Sequence, residues 1–310
     1  MELEKSKNRI KGVGTPNSFF LNGNCLKTIL LALLACTILL GCSNLGKLTF
    51  ITKLPKNLGE NSGIITLRDS TIWLIEDRGN NDEIYHVDFK GRLLKKFEVK
   101  NAKNQDWEDL ATDRDGNIYI GDFGNNHNKR KNLAIYKLPN PEIEKGAKID
   151  AEKITFNYPE QEAFPPKMAE LNYDAEALFF HQGYLFVITK NRTVPFSGEA
   201  FIYKIPAKPG KHSAQLVGKF VTCKQDVFCQ VTAADISPDG TTIALLGYGK
   251  LWLFTDFKWD DFSNGKMKTL NLGVSTQLES LCFWNDDTLL LSDEERGNTG
   301  GNLYSLKLIK

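Results

Sequence analysis

The feature that most constrains the fold of this chain is a unit that recurs along it. From Lys47 onward, short apolar or alternating runs are broken by Gly, Asn, Asp and Pro, and the runs fall into groups of four. The first group is Ile64–Leu67, Thr71–Glu76, Glu83–Val87 and Leu93–Val99. The second is Asp109–Thr112, Asn117–Gly121, Leu133–Leu138 and Lys153–Tyr158. The third is Ala177–Phe180, Tyr184–Thr189, Ala200–Ile205 and Gln215–Val221, and the fourth is Ala234–Ser237, Thr242–Gly247, Leu251–Phe254 and Met267–Leu272. The fifth has only Ser280–Phe283, Thr288–Ser292 and Asn302–Leu306. No helical periodicity is sustained, so the body is expected to be all-β.

Four-stranded units recurring every 40–50 residues or so are the signature of a β-propeller. The strand missing from the fifth group is available at the other end, in residues 47–54, and pairing it there would close the ring and remove an exposed sheet edge. The expectation is one propeller domain over residues 47–310 with five blades of four antiparallel strands. A six-bladed ring is the alternative, because segments 139–152 and 159–174 are long enough to hold irregular structure. The third strands repeat an aliphatic–aromatic pair (Ile84-Tyr85, Ile135-Tyr136, Ile202-Tyr203, Leu251-Trp252, Leu303-Tyr304), which suits packing between blades better than an aromatic binding face.

Ahead of the repeat, Lys5, Lys7, Arg9, Lys11 and Lys27 precede an apolar run from Thr28 to Leu40. That run has the length of a signal-peptide core and is short for a membrane span. It ends in Leu39-Leu40-Gly41-Cys42, which resembles the bacterial lipobox. This implies removal of residues 1–41, a lipid on Cys42, a short tether over 42–46 and anchoring to a bacterial membrane. An ordinary signal peptide is the alternative. Ser43 in place of an acid points to the outer membrane, facing the periplasm or the cell surface. In such an oxidising compartment Cys223 and Cys229 are expected to close a small disulfide loop, and Cys282, between Leu281 and Phe283, to be a buried apolar residue. The net charge of +1 over 310 residues gives no electrostatic case for nucleic acid as a partner.

Aligning the inner strands brings out a column of acids. Glu108, Glu176 and Glu279 each stand two residues before a leucine, with Gly63 and Ala234 expected at the same place in blades one and four. A second column is expected at the second-strand ends, with Asp77, Asp122 and Asp293, and Thr189-Lys190 in blade three; Asn126 follows in blade two. Carboxylate and amide oxygens converging on a channel mouth suit Ca²⁺ or another hard cation, and crowded carboxylates need a cation, or Lys190, Arg192 or Arg296, to offset them. The competing reading is structural: inner-strand acids accept backbone N–H bonds and brace the ring, and the aspartates cap loops. His86, His127, His181 and His212 lie in no metal-ligand spacing, no serine-hydrolase elbow is present, and Asp113–Asn117 reads as a hairpin turn rather than a calcium loop.

The segment Trp107-Glu108-Asp109-Leu110-Ala111, followed by Ile118–Asn126 and Ile135–Pro139, resembles bacterial propellers of the SdiA-regulated and esterase-like-phytase type. Asp174-Ala175-Glu176-Ala177-Leu178 and Ala234–Gly240 carry the same resemblance. A more distant similarity is to gluconolactonase and regucalcin propellers, which implies a divalent metal held by an inner-strand glutamate together with Asn and Asp from other blades. The expected function is a membrane-anchored module binding a small molecule or a protein at its channel mouth. The alternative is a metal-dependent hydrolase of esters, lactones or phosphoesters, with Glu108, Glu176, Glu279 and Asn126 holding the ion.

Overall fold

A computed structural model describes residues 46–225, 227–297 and 299–309. The signal-like run and Cys42 lie outside the described residues. Strand β1 (Thr49–Lys53) is followed by blade one: β2 (Asn61–Ile65), β3 (Thr71–Glu76), β4 (Glu83–Asp88) and β5 (Leu93–Lys100). Blade two is β6 (Trp107–Thr112), β7 (Ile118–Asp122), β8 (Ala134–Leu138) and, after the short β9 (Lys148–Asp150), β10 (Glu152–Asn157). Blade three is β11 (Asp174–His181), β12 (Tyr184–Lys190), β13 (Glu199–Pro206) and, after the short β14 (Gly210–Ser213), β15 (Gln215–Val221). Blade four is β16 (Val231–Ile236), β17 (Ile243–Gly247), β18 (Lys250–Thr255) and β19 (Lys266–Asn271). Blade five is β20 (Leu278–Asn285), β21 (Thr288–Asp293) and β22 (Asn302–Lys307), with β1 as its outer strand.

The ring is a five-bladed propeller closed as expected: β1 pairs antiparallel with β22, from Thr49 opposite Ser305 to Lys53 opposite Asn302. The two long segments hold no sixth blade. Residues 139–152 contribute β9, which adds to β5 in parallel, and 159–174 contain only a single 3₁₀ turn at Met168–Glu170 between the flanking strands. Likewise β14 adds in parallel to β10. Each added strand covers the outer edge of the preceding blade and blunts an otherwise exposed ladder. Among the described residues no helix is long and apolar enough to cross a membrane.

The inner strands β2, β6, β11, β16 and β20 stand side by side around the axis. All five begin earlier than the apolar pattern suggests, at Asn61, Trp107, Asp174, Val231 and Leu278. The reason is a β-bulge near the start of every one. Pairing skips one residue between Asn61 and Gly63, Trp107 and Asp109, Ala175 and Ala177, Val231 and Ala233, and Leu278 and Ser280. The skipped residues are Ser62, Glu108, Glu176, Thr232 and Glu279. A bulge turns the extra residue out of the ladder and re-aims its side chain. This corrects the sequence alignment: the counterparts of the three glutamates in blades one and four are Ser62 and Thr232, not Gly63 and Ala234.

The same register moves the second column by one residue. Glu76, Asp122 and Asp293 occupy one position, opposite Asn61, Trp107 and Leu278. Asp77 instead falls in register with Lys190, Tyr248 and Glu294, one residue beyond it.

The core lies between blades, in five clusters of buried side chains. One joins blades one and two through Trp73, Phe97, Trp107 and Tyr136, and the next joins blades two and three through Tyr119, Phe123, Phe156 and Tyr203. Phe179, Phe186, Trp252, Phe254 and Phe262 join blades three and four. Leucines dominate between blades four and five, and Leu54, Tyr85, Leu290 and Leu303 complete the circuit back to blade one. The repeated third-strand aromatics Tyr85, Tyr136, Tyr203, Trp252 and Tyr304 are all buried there. Trp252→Ala, at a fully buried position, is expected to cost about 3–5 kcal/mol in chemical denaturation through lost burial and the cavity left behind.

Candidate functional site at the channel mouth

Side chains tie the inner strands to one another around the axis. Ser62 Oγ donates to the carbonyls of Trp107 and Glu108 on the next blade, and Thr232 Oγ1 donates to that of Leu278. Asn61 Nδ2 donates to the Asp293 carbonyl, joining blade one to blade five. Asp109, fully buried, accepts from the backbone N–H groups of Leu110 at 2.8 Å, Leu178 at 2.8 Å and Ala234 at 3.2 Å. Two of those donors belong to other blades, one of which is not adjacent, so the Asp109 carboxylate reaches across the axis and blocks it. Asp235 plays a similar part between blades four and five, accepting from Ile236 and Phe283. The axis therefore has two separate mouths.

The bulge residues open on one of them, where two contrasting halves meet. In one half the acids are offset. Glu176 accepts from Lys190 Nζ and, at 3.0 Å, from Arg192. Lys190 also donates to the Tyr248 hydroxyl at 3.2 Å, which donates at 2.8 Å to Glu279, and Gln277 donates to both Glu279 and Glu294 at 2.6 Å. Burial by itself would lower the Lys190 pKa, but the charges of Glu176 and Glu279 override it and hold the ammonium charged. Arg192 further binds Asp174 at 2.7 Å and the side-chain oxygen of Asn126.

In the other half no side chain donates a hydrogen bond to the acids among the described residues, and the Asp77 carboxylate accepts only the backbone N–H of Arg78 at 2.5 Å. Asp77, Asp106 and Glu108 each place a carboxylate oxygen within 4.8 Å of the other two. Asp106 and Glu108 are more than nine-tenths buried. Asp106 Oδ1 is enclosed without a hydrogen-bond partner, with the Arg78 guanidinium 3.7 Å away, and among the described residues no group donates to the Glu108 carboxylate. Burial, then the charges of Glu176, Asp77 and Asp106, holds Glu108 well above the usual carboxylate range. Burial, with Asp77 next, pushes Asp106 up to about 6, and burial also raises Asp77. The backbone closes tightly on this group at Gly124, where a Cβ would sit 1.9 Å from Glu108 Oε1 and 2.6 Å from the Asp106 carboxyl carbon.

The expected site is thus redistributed. Glu108 and Asp77 come together, whereas Glu176 and Glu279 are tied up by Lys190, Arg192, Tyr248 and Gln277, and Asn126 faces Arg192. Asp122 and Asp293 brace their own blades. Asp122 accepts from the Asp106 N–H at 3.1 Å and from Arg130 at 2.9 Å, and Asp293 accepts from Thr276, Asn302 and Tyr304. The carboxylates whose oxygens converge among the described residues are those of Asp77, Asp106 and Glu108, rather than those of Glu108, Glu176 and Glu279. Asp106 was the residue missed. Its signal was the shared spacing Asp106-x-Glu108, Asp174-x-Glu176 and Gln277-x-Glu279. Tyr248 and Glu294 stand one residue past the second column, the same offset that separates Asp77 from Asp122 and Asp293.

Other positions fall where the sequence suggested. Cys223 and Cys229 form a disulfide with Cα atoms 5.4 Å apart, Cys282 is buried, and His127 is exposed. Asp113 binds the N–H groups of Asp115 and Asn117 in a hairpin turn whose Gly116 has φ of 79°, a conformation that favours glycine. Beside Glu279, a cavity of about 460 Å³ at the same mouth is lined by Tyr248, Gln277, Glu294 and Arg296.

No known family matches the chain by sequence, and no curated protein does either. Among solved structures, the PQQ-bound aldose sugar dehydrogenase of Streptomyces coelicolor is similar at 12% identity and a TM-score of 0.51, over 84% of this chain and 98% of that one. The Staphylococcus aureus virginiamycin B lyase matches at 14% identity and a TM-score of 0.41, over 83% and 69%. The Xanthomonas campestris gluconolactonase matches at 15% and 0.42, over 81% and 73%. The first of these likenesses supports the propeller fold and carries nothing about chemistry.

Acids whose folded pKa is raised bind more protons in the folded than in the unfolded state, so they stabilise at low pH and lose that stability as pH rises. For Asp106 the loss runs from about 4, the ordinary value, to about 6, and Glu108 extends it upward. The cation-free protein is therefore expected to lose stability as pH rises from about 4 to about 6 and above. Glu108→Gln should flatten that slope and raise stability at its upper end, read from denaturation curves.

Proposed function

We propose that this protein is a membrane-anchored propeller, tethered by a lipid on Cys42, that holds a divalent cation with Asp77, Asp106 and Glu108 and there binds an oxygen-rich anionic ligand. The observation that carries the reading is the Asp77–Asp106–Glu108 half of the mouth. Three carboxylates converge at the open end of a rigid ring with only Arg78 to offset them, through its N–H on Asp77 and its guanidinium 3.7 Å from Asp106, while every acid across from them is hydrogen-bonded by a side chain. Leaving three like charges together with a single, largely exposed guanidinium as counter-ion is costly, and an oxygen-only donor set suits Ca²⁺ or Mg²⁺. The missing Cβ at Gly124 lets the chain fold closely around this set. A cation held here would still have free coordination positions. With Lys190, Arg192 and Arg78 nearby, those positions favour a carboxylate- or phosphate-bearing small molecule or protein segment.

Removal of cations by a chelator, followed by addition of Ca²⁺, is expected to raise the stability of the full chain. The gain should reach about 2.7 kcal/mol at a concentration 100 times Kd. Asp106→Asn should abolish the gain and Asp293→Asn should leave it. A chain whose stability does not respond to Ca²⁺, Mg²⁺ or Mn²⁺ would falsify the cation site. For the anchor, Cys42→Ser should move the protein from the membrane fraction to the soluble fraction.

One observation favours a second reading, hydrolysis of an ester, lactone or phosphoester. Glu294 lines the adjoining cavity with its carboxyl pushed up to about 7, by burial and then by Glu279 and Asp77. A carboxyl in that range can hold and pass a proton near neutral pH. A bound cation would supply positive charge for the oxygen on which negative charge develops. Glu294→Gln should then abolish turnover of a chromogenic phosphoester or lactone while leaving the Ca²⁺-induced gain in stability intact. If no such substrate is turned over, the binding reading stands alone.

A further inference from the structure

The opposite mouth of the axis, cut off by Asp109, holds a cavity of about 1200 Å³ to which all five blades contribute residues. Its aromatic lining is held in place from behind. Trp259 stacks on His181 with ring centres 3.8 Å apart, Trp284 meets Phe89 edge-on at 5.3 Å, and Phe180 stacks on Tyr119 at 5.5 Å. Among the described residues, neither indole N–H has an acceptor. Rings fixed in this way lose little freedom when a ligand settles on them.

The charged groups of the lining decide what that ligand is. Arg68 is engaged by Glu142 at 2.8 Å, Asp113 by its own turn, Asp235 by the N–H groups of Ile236 and Phe283, and Asp239 by Ser237 and Thr241. Arg114 forms no ion pair or hydrogen bond among the described residues, and the carboxylates of Asp69 and Asp115 accept none. An anion drawn to Arg114 would meet Asp69 and Asp115, and a cation drawn to those would meet Arg114. A neutral ligand with many hydroxyls uses both signs, donating to carboxylates and accepting from a guanidinium and from indole N–H groups. Its C–H faces would cover the half-buried aromatic rings. We infer that this mouth is a second binding site, for a neutral carbohydrate, independent of the acidic mouth.

The test is calorimetric titration of the full chain, in a detergent without a sugar headgroup, with maltose, cellobiose and lactose, alongside sodium sulfate and spermidine. A disaccharide is expected to bind saturably and to perturb tryptophan fluorescence. Trp284→Ala and Arg114→Ala should each weaken it about tenfold, and Glu108→Gln should leave it unchanged. Arg114 is exposed and unpaired, so its variant keeps the fold even if Trp284→Ala does not. No saturable binding of any of the sugars, equal binding by the Arg114→Ala chain, or binding of sulfate or spermidine in place of sugar would each overturn the inference.

Discussion

The structure depends on how five inner strands are held around a common axis. Backbone ladders run within blades and cannot do this, because neighbouring inner strands present side chains to one another rather than N–H and C=O edges. The joins are made instead by short polar side chains: Ser62 and Thr232 hydroxyls on carbonyls of the next blade, Asn61 on the last, and the Asp109 carboxylate on amides of two others. Such bonds are strong in a buried setting and costly to leave unmade. They explain why the centre of the ring is polar while the wedges between blades are filled with aromatic and leucine side chains.

The bulge in each inner strand follows from the same geometry and produces the candidate site. One extra residue per strand, repeated five times, raises a ring of five side chains at one mouth. Two of these are hydroxyls that serve the ring. The three glutamates are too long for that role and project to the opening. Their partners differ because the second strands differ: blade three ends in Lys190 and blade four in Tyr248, so Glu176 and Glu279 are served, whereas blade two offers Phe123 at that place and leaves Glu108 with Asp106 and Asp77. The uneven charge of the mouth thus comes from single substitutions on a repeated scaffold.

The two mouths are chemically unlike because Asp109 divides them. On one side charge accumulates with few counter-ions. On the other, aromatic rings braced by their neighbours surround unpaired groups of both signs. A rigid ring lets the turns on each side vary without disturbing the other, which is how loops on a fixed frame acquire separate tasks.

Fold class, blade number and ring closure were legible in the sequence because alternation, turn residues and a recurring unit are local signals that add up over five repeats. So was the packing role of Tyr85, Tyr136, Tyr203, Trp252 and Tyr304, since their spacing repeats with the blades. The acids were visible as types but not as a constellation. A bulge is one residue of register, and one residue exchanges the two faces of a strand; it carried Asp77 toward the mouth and left Asp122 and Asp293 bracing their blades. Which carboxylates meet also depends on residues from blades up to hundreds of positions apart, as with Asn61 and Asp293. The sequence by itself determined a closed five-bladed ring with acids near its axis. Only the tertiary structure decided which of those acids are neutralised by side chains and which stand together with only Arg78 beside them, because that rests on register and on contacts across the axis that no local pattern records.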